Sequence, residues 1–595
     1  MNHTFHIPVL GLGYSIDTPL KIARFGISSV VSIVDDELTE RMRKYHAELH
    51  DEPYELIDKK ENDSRALRVT AYLNLLNRLV NKQFDALLGQ HFEEGTDLTR
   101  YFDYLPNDAE LTSNYQHMLT LQGDERLNAQ KLLKELIKPG AIDVNIMSKV
   151  DKANYSSNDE YLGDDYTDAL AALRGFANSD LNSSVIISAG LNPRLYAYME
   201  QCSCFYPSSL PGTGKQIILK VSDFRSAMIQ AKMLAKRGLW VSEFRVESGL
   251  NCGGHAFATE GFLLGPILEE FKEKREELVH ELYDIYCTAL SNKNIQVSAA
   301  RPEQRVTAQG GIGTAEEHAF LLNYYQLDAA GWGSPFLLVP EATNVDENTL
   351  KRLENAGQQD FYLSNSSPLG VLFNNFKGAT IEEQRLQRIE KGRPGSPCTK
   401  KFLCTNTEFT GLPICTASRE YQHLKIKQLK DMNLPADDYR RHYDVITEKV
   451  CLCEGLCASA YLKNGMLKPK ENKAVSICPG PNLAYFTRKY TLKEMINHIY
   501  GRENLLQNVE RPNLFINELN LYIDYLKKDI SNQLEELNAK KEKYFTKFRE
   551  QLINGINYYK QLIPEMSRNG DLPVKDMYDE LQKAEERLLF QLGMH

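Results

Sequence analysis

Nowhere in the 595 residues is there an uncharged apolar run of about 18 residues, which rules out a helix crossing a membrane. The amino terminus, Met1-Asn-His-Thr-Phe-His-Ile-Pro8, lacks both the positive region and the long apolar segment of a secretory leader, so a cytoplasmic protein is predicted. Positive charge is not in excess: 70 Lys and Arg stand against 80 Asp and Glu, and no basic stretch is interleaved with aromatics. That balance argues against nucleic acid as a partner. No Gly-x-Gly-x-x-Gly follows a candidate strand, so a nicotinamide fingerprint is missing as well.

What is present is a long alternation of strands and helices. With 42% apolar residues the chain buries a large core, and its length predicts more than one domain. Candidate strands fall at 7–10, 29–34, 142–147, 184–188, 216–220, 242–246, 305–308 and 327–330. Between them, Met228, Ala231, Leu234 and Ala235 share one helical face, and 264–286 extends the same spacing over a longer run. Eight buried strands separated by helices predict an α/β fold, a parallel sheet closed into a (β/α)8 TIM barrel.

The predicted barrel spans 1–35 and 140–345. Between its second and third strands lies an insertion, 36–139, where about thirty residues would suffice. Its stripe of Leu73, Leu75, Leu76, Leu79 and Leu87 predicts helices, either a lid at the barrel mouth or a structural or dimer-forming element. A cysteine-rich module is expected over 346–505 and a helical segment over 506–595. In the latter Ile523, Leu526, Ile530, Leu534, Leu537, Tyr544 and Phe545 recur at helical spacing, which suits either a homodimer arm or a helix folding back on its own domain.

Chemistry concentrates in three places: Glu247-Ser-Gly-Leu-Asn-Cys-Gly-Gly-His255, Ala308-Gln-Gly-Gly-Ile-Gly313 and Asp328-Ala-Ala-Gly-Trp-Gly-Ser334. Glycines directly after strands let backbone N–H groups approach phosphate oxygens, and a helix starting after Gly313 aims its positive end the same way. Thr314 is placed to cap that helix or to bind phosphate, and Ser334 adds a hydroxyl. His255, at the end of the sixth strand, has the pKa range for proton transfer, or else is a structural histidine under its loop. Lys220 ends the fifth strand; a charge inside a barrel needs a partner, which is an anionic cofactor or a salt bridge at the rim.

The order of these motifs resembles the nitronate monooxygenase group of FMN-dependent (β/α)8 enzymes, formerly called 2-nitropropane dioxygenases, which includes flavin-dependent enoyl-ACP reductases and the enoyl reductases of polyketide and polyunsaturated fatty acid synthases. The first-strand loop is matched by Leu10-Gly-Leu-Gly-Tyr-Ser15 and the third strand by Asp143-Val-Asn-Ile-Met147. The Gly-Gly-His motif is matched at 253–255 with one extra residue after Glu247, the Gly-Gly-Ile by Gly310-Gly-Ile312, and the eighth-strand motif by 327–334. The resemblance implies FMN as cofactor, held by Gly11, Gly13, Asn145, Lys220, Gly253, Gly254, Gln309, Gly310, Gly311, Gly331, Gly333 and Ser334. It implies His255 as general acid or base, with Lys220 neutralising the reduced flavin. The substrate would be a small organic or acyl compound, and the electron donor NAD(P)H or a redox protein.

Seven of the eleven cysteines lie between Cys398 and Cys478, a departure from that group. In a reducing compartment such density favours an iron–sulfur cluster or zinc, with Cys398, Cys404, Cys451, Cys453, Cys457 and Cys478 as candidate ligands; unligated thiols are the third reading. The spacing matches no zinc ribbon. Ser396-Pro-Cys398 through Cys404 is distantly similar to the cluster that follows the FMN barrel of glutamate synthases, and Cys478-Pro to ferredoxin ligation. The segment from Cys415 to Gln422 is compact and polar enough to contact substrate. Two functions outside the flavin class stay open: a phosphate-binding barrel isomerase or lyase without flavin, and a non-catalytic assembly component working through its terminal helix.

Overall fold

The computed structural model describes residues 3–148, 150–155, 160–188, 190–207, 214–252, 260–297, 300–533, 539–568, 574 and 576–592. Eight parallel strands close into a barrel in chain order: β1 (Phe5–Ile7), β2 (Ser28–Ser32), β3 (Ile142–Asn145), β4 (Ser184–Ile187), β5 (Gln216–Val221), β6 (Val241–Glu247), β7 (Arg305–Gln309) and β8 (Ala329–Gly331). β8 pairs back onto β1, Phe5 opposite Ala330. All eight predicted strands are present. The first ends at Ile7, not at residue 10, because Pro8 has no N–H to give the ladder.

Six helices precede β3: α1 (Thr18–Ile22), α2 (Asp36–Leu49), α3 (Ser64–Leu88), α4 (Asp97–Asp103), α5 (Glu110–Thr120) and α6 (Gly123–Leu136). The later strands are separated by α7 (Asp168–Ala177), α8 (Pro193–Met199), α9 (Phe224–Ala235), α10 (Leu264–Asn292) and α11 (Ala315–Tyr324). The insertion is helical, and its leucine stripe is buried. It is not gathered at the mouth as a lid would be. At the mouth stand α2, its first turn capped by Asp35 at the end of β2, and the first turn of α3, whose Arg65 donates to Val34 O (2.6 Å). α3 is in the outer layer, its Tyr72 hydroxyl donating to Ile16 O (2.8 Å) and its Thr70 hydroxyl to Gly175 O of α7 (2.9 Å). At 25 residues α3 is about 37 Å long, enough to return the chain to the amino-terminal end of the strands. There α4 packs Tyr104, its C-cap residue, against Phe25, with ring centroids 5.2 Å apart, and Tyr101 donates to Lys138 O (2.8 Å).

Inside the barrel the side chains are sorted by level. Near the amino-terminal ends Glu243 is fully buried, bonded to Arg245 (2.7 Å), Arg305 (3.0 Å) and the Thr307 hydroxyl (2.7 Å). Burial would raise the Glu243 carboxyl, but the two guanidinium groups hold it at about 2. His6 beside them is driven down to about 3 by burial and by Arg245, so its ring is neutral. Ions without such pairing would cost several kcal/mol each, of order 5 kcal/mol. Val9, Val30, Ile186 and Ile218 form a separate apolar cluster.

Beyond β8 the chain wraps the barrel. Helices α12 (Glu347–Glu354), α13 (Thr380–Glu390), α14 (Arg419–Asp431), α15 (Ala436–Thr447), α16 (Leu452–Lys463) and α17 (Leu492–Ile499) accompany an antiparallel pair, β9 (Phe361–Ser364) and β10 (Phe373–Phe376). Three more follow: α18 (Leu514–Gln533), α19 (Ala539–Arg568) and α20 (Met577–Leu592). The apolar repeat in this region serves the chain's own core: Ile523, Leu526 and Phe545 are buried, while Ile530 and Tyr544 are half-buried. Tyr558 of α19 donates to Glu269 of α10 (2.7 Å). Leu534 and Leu537 lie outside the described residues.

Candidate active site at the carboxyl mouth of the barrel

Strands β2, β3, β5, β6 and β7 each turn a polar side chain inward at or next to their carboxyl ends: Ser32, Asn145, Lys220, Glu247 and Gln309. One carboxylate oxygen, Glu247 Oε1, accepts from Gln309 Nε2 (2.7 Å), Asn251 Nδ2 (2.8 Å) and Lys220 Nζ (3.2 Å). Asn145 Nδ2 donates to Ser32 Oγ (3.1 Å). The charge of Lys220 therefore finds its partner in Glu247, and both side chains keep some exposure, 16% and 14%, toward the mouth. Gln309 Oε1, deeper beside the His6 ring, makes no well-formed hydrogen bond. Glu247 thus joins Lys220 and Gln309, two residues singled out by the sequence, whereas Asn145 pairs separately with Ser32.

After β7 the chain turns through Gly310 (φ +109°) and Gly311 (φ +81°), conformations that favour glycine. Their bare α-carbons do not face open space. A Cβ on Gly311 would stand 2.5 Å from Leu250 and 2.9 Å from Leu514, and one on Gly310 2.9 Å from Asn251 N. What the loops leave available is backbone: among the described residues the N–H groups of Gly311 and Ile312 after β7, and of Gly333 and Ser334 after β8, donate to no protein acceptor. Gly333 and Ser334 open a helical turn (334–338), and four such donors in two adjacent loops offer a seat to an anion such as a phosphate.

The start of α11 is not free for that task. Glu317 takes the Gly313 N–H on its carboxylate (2.8 Å), and the Thr314 hydroxyl accepts from Glu317 N (3.2 Å). Thr314 is thus the helix cap. Ser334 Oγ accepts from Gly480 N (3.0 Å), so its hydroxyl is engaged by the wrapping chain. The spacing Thr314-x-x-Glu317 is that of a capping box and signals the cap in the sequence; nothing local signals its partner, Arg511.

Arg511 closes the cradle from behind. Its guanidinium donates to Glu317 (2.6 and 3.0 Å), Gly311 O (2.6 Å) and Asn482 Oδ1 (2.8 Å), with both charged side chains nearly fully buried. Asn482 donates to Ile312 O (2.9 Å). Next to the β8 loop, Gly13 in the loop after β1 donates to Leu456 O of α16 (3.0 Å), and Tyr14 donates to Ser476 O (2.6 Å). Gly11 turns in the same loop. His255, Gly253 and Gly254 lie outside the described residues.

The six candidate metal ligands are not assembled as one set. Cys398 and Cys404 stand with sulfurs 3.9 Å apart. Contact with Cys404 lowers the Cys398 thiol, but contact with Cys415, burial and Cys451 outweigh it and push it up to about 12. Cys451 and Cys453, at the start of α16, are free, buried thiols that interact with each other. Cys457 is turned to the other side, donating to Asp35 (3.3 Å), and Cys478 is met at its carbonyl by the Cys252 thiol (3.5 Å). Cys415 is buried beside Cys398 and Cys453. Among the described residues no group of three or more His, Cys, Asp or Glu is arranged to hold a metal ion.

No protein-family description matches the chain, and neither does any curated protein. Solved structures do. The enoyl reductase domain of MlnA from the macrolactin biosynthesis cluster of Bacillus amyloliquefaciens is 15% identical at a TM-score of 0.32, over 65% of this chain and 88% of that one. FabK from Thermotoga maritima is 13% identical at 0.31, over 64% and 81%. Nitroalkane oxidase from Streptomyces ansochromogenes is 12% identical at 0.33, over 84% and 95%. At such scores the likeness decides nothing about cofactor or reaction; the barrel rests on its own strand pairing.

Proposed function

We propose that the chain is an FMN-dependent oxidoreductase of the nitronate monooxygenase and enoyl reductase type, acting on a small organic or acyl substrate at the barrel mouth. The observation that carries the reading is the pairing of four acceptor-less amides in the loops after β7 and β8 with the polar ring next to them. Bound FMN supplies hydride or single-electron chemistry. Gly311, Ile312, Gly333 and Ser334 hold the phosphate through backbone N–H groups, and Gln309, bonded to Glu247, contacts the ribityl chain. Lys220 presents positive charge at the mouth while Glu247 fixes its position, and Asn145 contacts the ring system. His255 is assigned the proton on its place in the Gly-Gly-His motif.

An absorption spectrum tests this directly. The purified chain, as isolated or after incubation with FMN, is expected to show the visible bands of protein-bound oxidised flavin at one FMN per chain. A colourless protein that takes up no FMN refutes the reading. His255→Ala in the same preparation should keep the bands and lose turnover.

A further inference from the structure

The C-terminal helix layer does more than cover apolar surface. Glu518 of α18 is 1% exposed and its carboxylate spans two separate pieces of the chain. Oε1 accepts from the Ser248 hydroxyl (2.6 Å), one residue past β6, and Oε2 accepts from Leu264 N (2.7 Å), the first residue of α10. Positions 248 and 264 are the two ends of the connection between β6 and α10, and a single carboxylate holds both. Neighbouring contacts repeat the arrangement. Tyr522 of α18 accepts from Gly249 N (3.2 Å), and Tyr559 of α19 accepts from Gly265 N (3.1 Å). Both glycines are crowded: a Cβ on either would come within 2.4 Å of the tyrosine ring.

From this geometry we propose that Glu518 is a positioning residue, which ties residue 248 to residue 264 and so sets the turn 248–252 beside the barrel mouth. Four contacts from two helices converge on residues 248, 249, 264 and 265, whereas packing alone would need no polar bond there. Ser248 is placed one residue from Glu247 of the polar ring, and its hydroxyl also accepts from Leu250 N (3.2 Å), so the bond to Glu518 is passed to the turn that packs on Gly311. Fixing the turn 248–252 in advance lowers the ordering cost that ligand binding would otherwise carry. The consequence for a reacting substrate rests on the flavin reading above; the tether itself does not.

Hydrogen exchange on the full chain, read by mass spectrometry of peptides covering 248–252 and 260–265, tests the tether. Glu518→Gln keeps the shape but turns an amide N–H₂ toward one of the two donors. It is expected to speed exchange in both peptides by roughly tenfold or more, as loss of a buried hydrogen bond does, while peptides from β3 and β4 exchange as before. Tyr522→Phe should speed the 248–252 peptide alone, and it answers the question if Glu518→Gln does not fold. Unchanged exchange in both peptides of a folded Glu518→Gln chain, or an equal rise across the whole barrel, overturns the proposal; so does an unaltered 248–252 peptide in Tyr522→Phe. The readout needs no flavin. A chain that binds no FMN therefore sinks the oxidoreductase reading and leaves the exchange result to decide the tether.

Discussion

Replacing Arg511 by Met leaves Glu317 buried without its cationic partner. Breaking a buried pair in this way costs about 3–5 kcal/mol. Glu317 retains two amide donors, Gly313 N at 2.8 Å and Leu514 N at 2.6 Å, which places the loss toward the lower end, about 3 kcal/mol. With barrel and wrap melting together, about 2.1 cal/mol/K per residue over 595 residues gives about 1.25 kcal/mol/K, so the midpoint falls by about 2.4 °C. Differential scanning calorimetry resolves that shift. Arg511→Met combined with Glu317→Gln removes the stranded charge and should recover at least half of it, a double-mutant coupling of about 1–3 kcal/mol. A single variant melting within half a degree of the parent, or a double variant no better than the single, would refute the idea that this pair holds the cradle, whatever the protein binds.

Other outcomes follow from the same contacts. Lys220→Met should weaken FMN binding by roughly tenfold, measured by fluorescence titration, because a charge-assisted contact is lost while Glu247 keeps Gln309 and Asn251 as donors. Burial raises the Glu518 carboxyl to about 7, against an unperturbed 4.5. Its stabilising contribution is thus complete below pH 4.5 and is lost as pH rises through 7, the opposite of the slope from His6, whose depressed pKa contributes stability lost as pH falls below 6.5. Subtracting the melting curve of Glu518→Gln from that of the parent over pH 5 to 8 should isolate a declining difference; a flat difference contradicts the shift. With its thiol pushed up to about 12, Cys398 in reduced, metal-free protein should alkylate at pH 8 roughly a thousandfold more slowly than free cysteine, followed by mass spectrometry.

Much of the barrel was legible because each strand is buried on both faces and so reads as a short apolar run. The slip at β1 came from a run that continues past Pro8 while the ladder stops before it. Lys220 stood out as a charge where an apolar strand ends, and barrel strands end at the mouth, whereas Asn145 and Gln309 were named through the family resemblance. Helical spacing gave the buried face of the insertion but not its level, which depends on the length of α3 and on contacts such as Tyr104 with Phe25. Cysteine spacing was silent on which sulfurs meet, since Cys453 and Cys457 are four positions apart yet have different neighbours. Arg511 with Glu317, and Glu518 with Ser248, are pairs far apart in the chain and carry no local pattern at all.

That separation has a consequence for synthesis. The last barrel strand ends at Gly331, but the mouth is finished only by Arg511 and Glu518, some 187 residues later (518 minus 331). At about 5–20 residues per second the ribosome needs roughly 10–40 s to make up that distance. For that interval a nascent chain has every strand of its barrel and an open mouth, with the buried carboxylate of Glu317 still waiting for its counter-ion. A chain stopped before Arg511 is held in that state indefinitely.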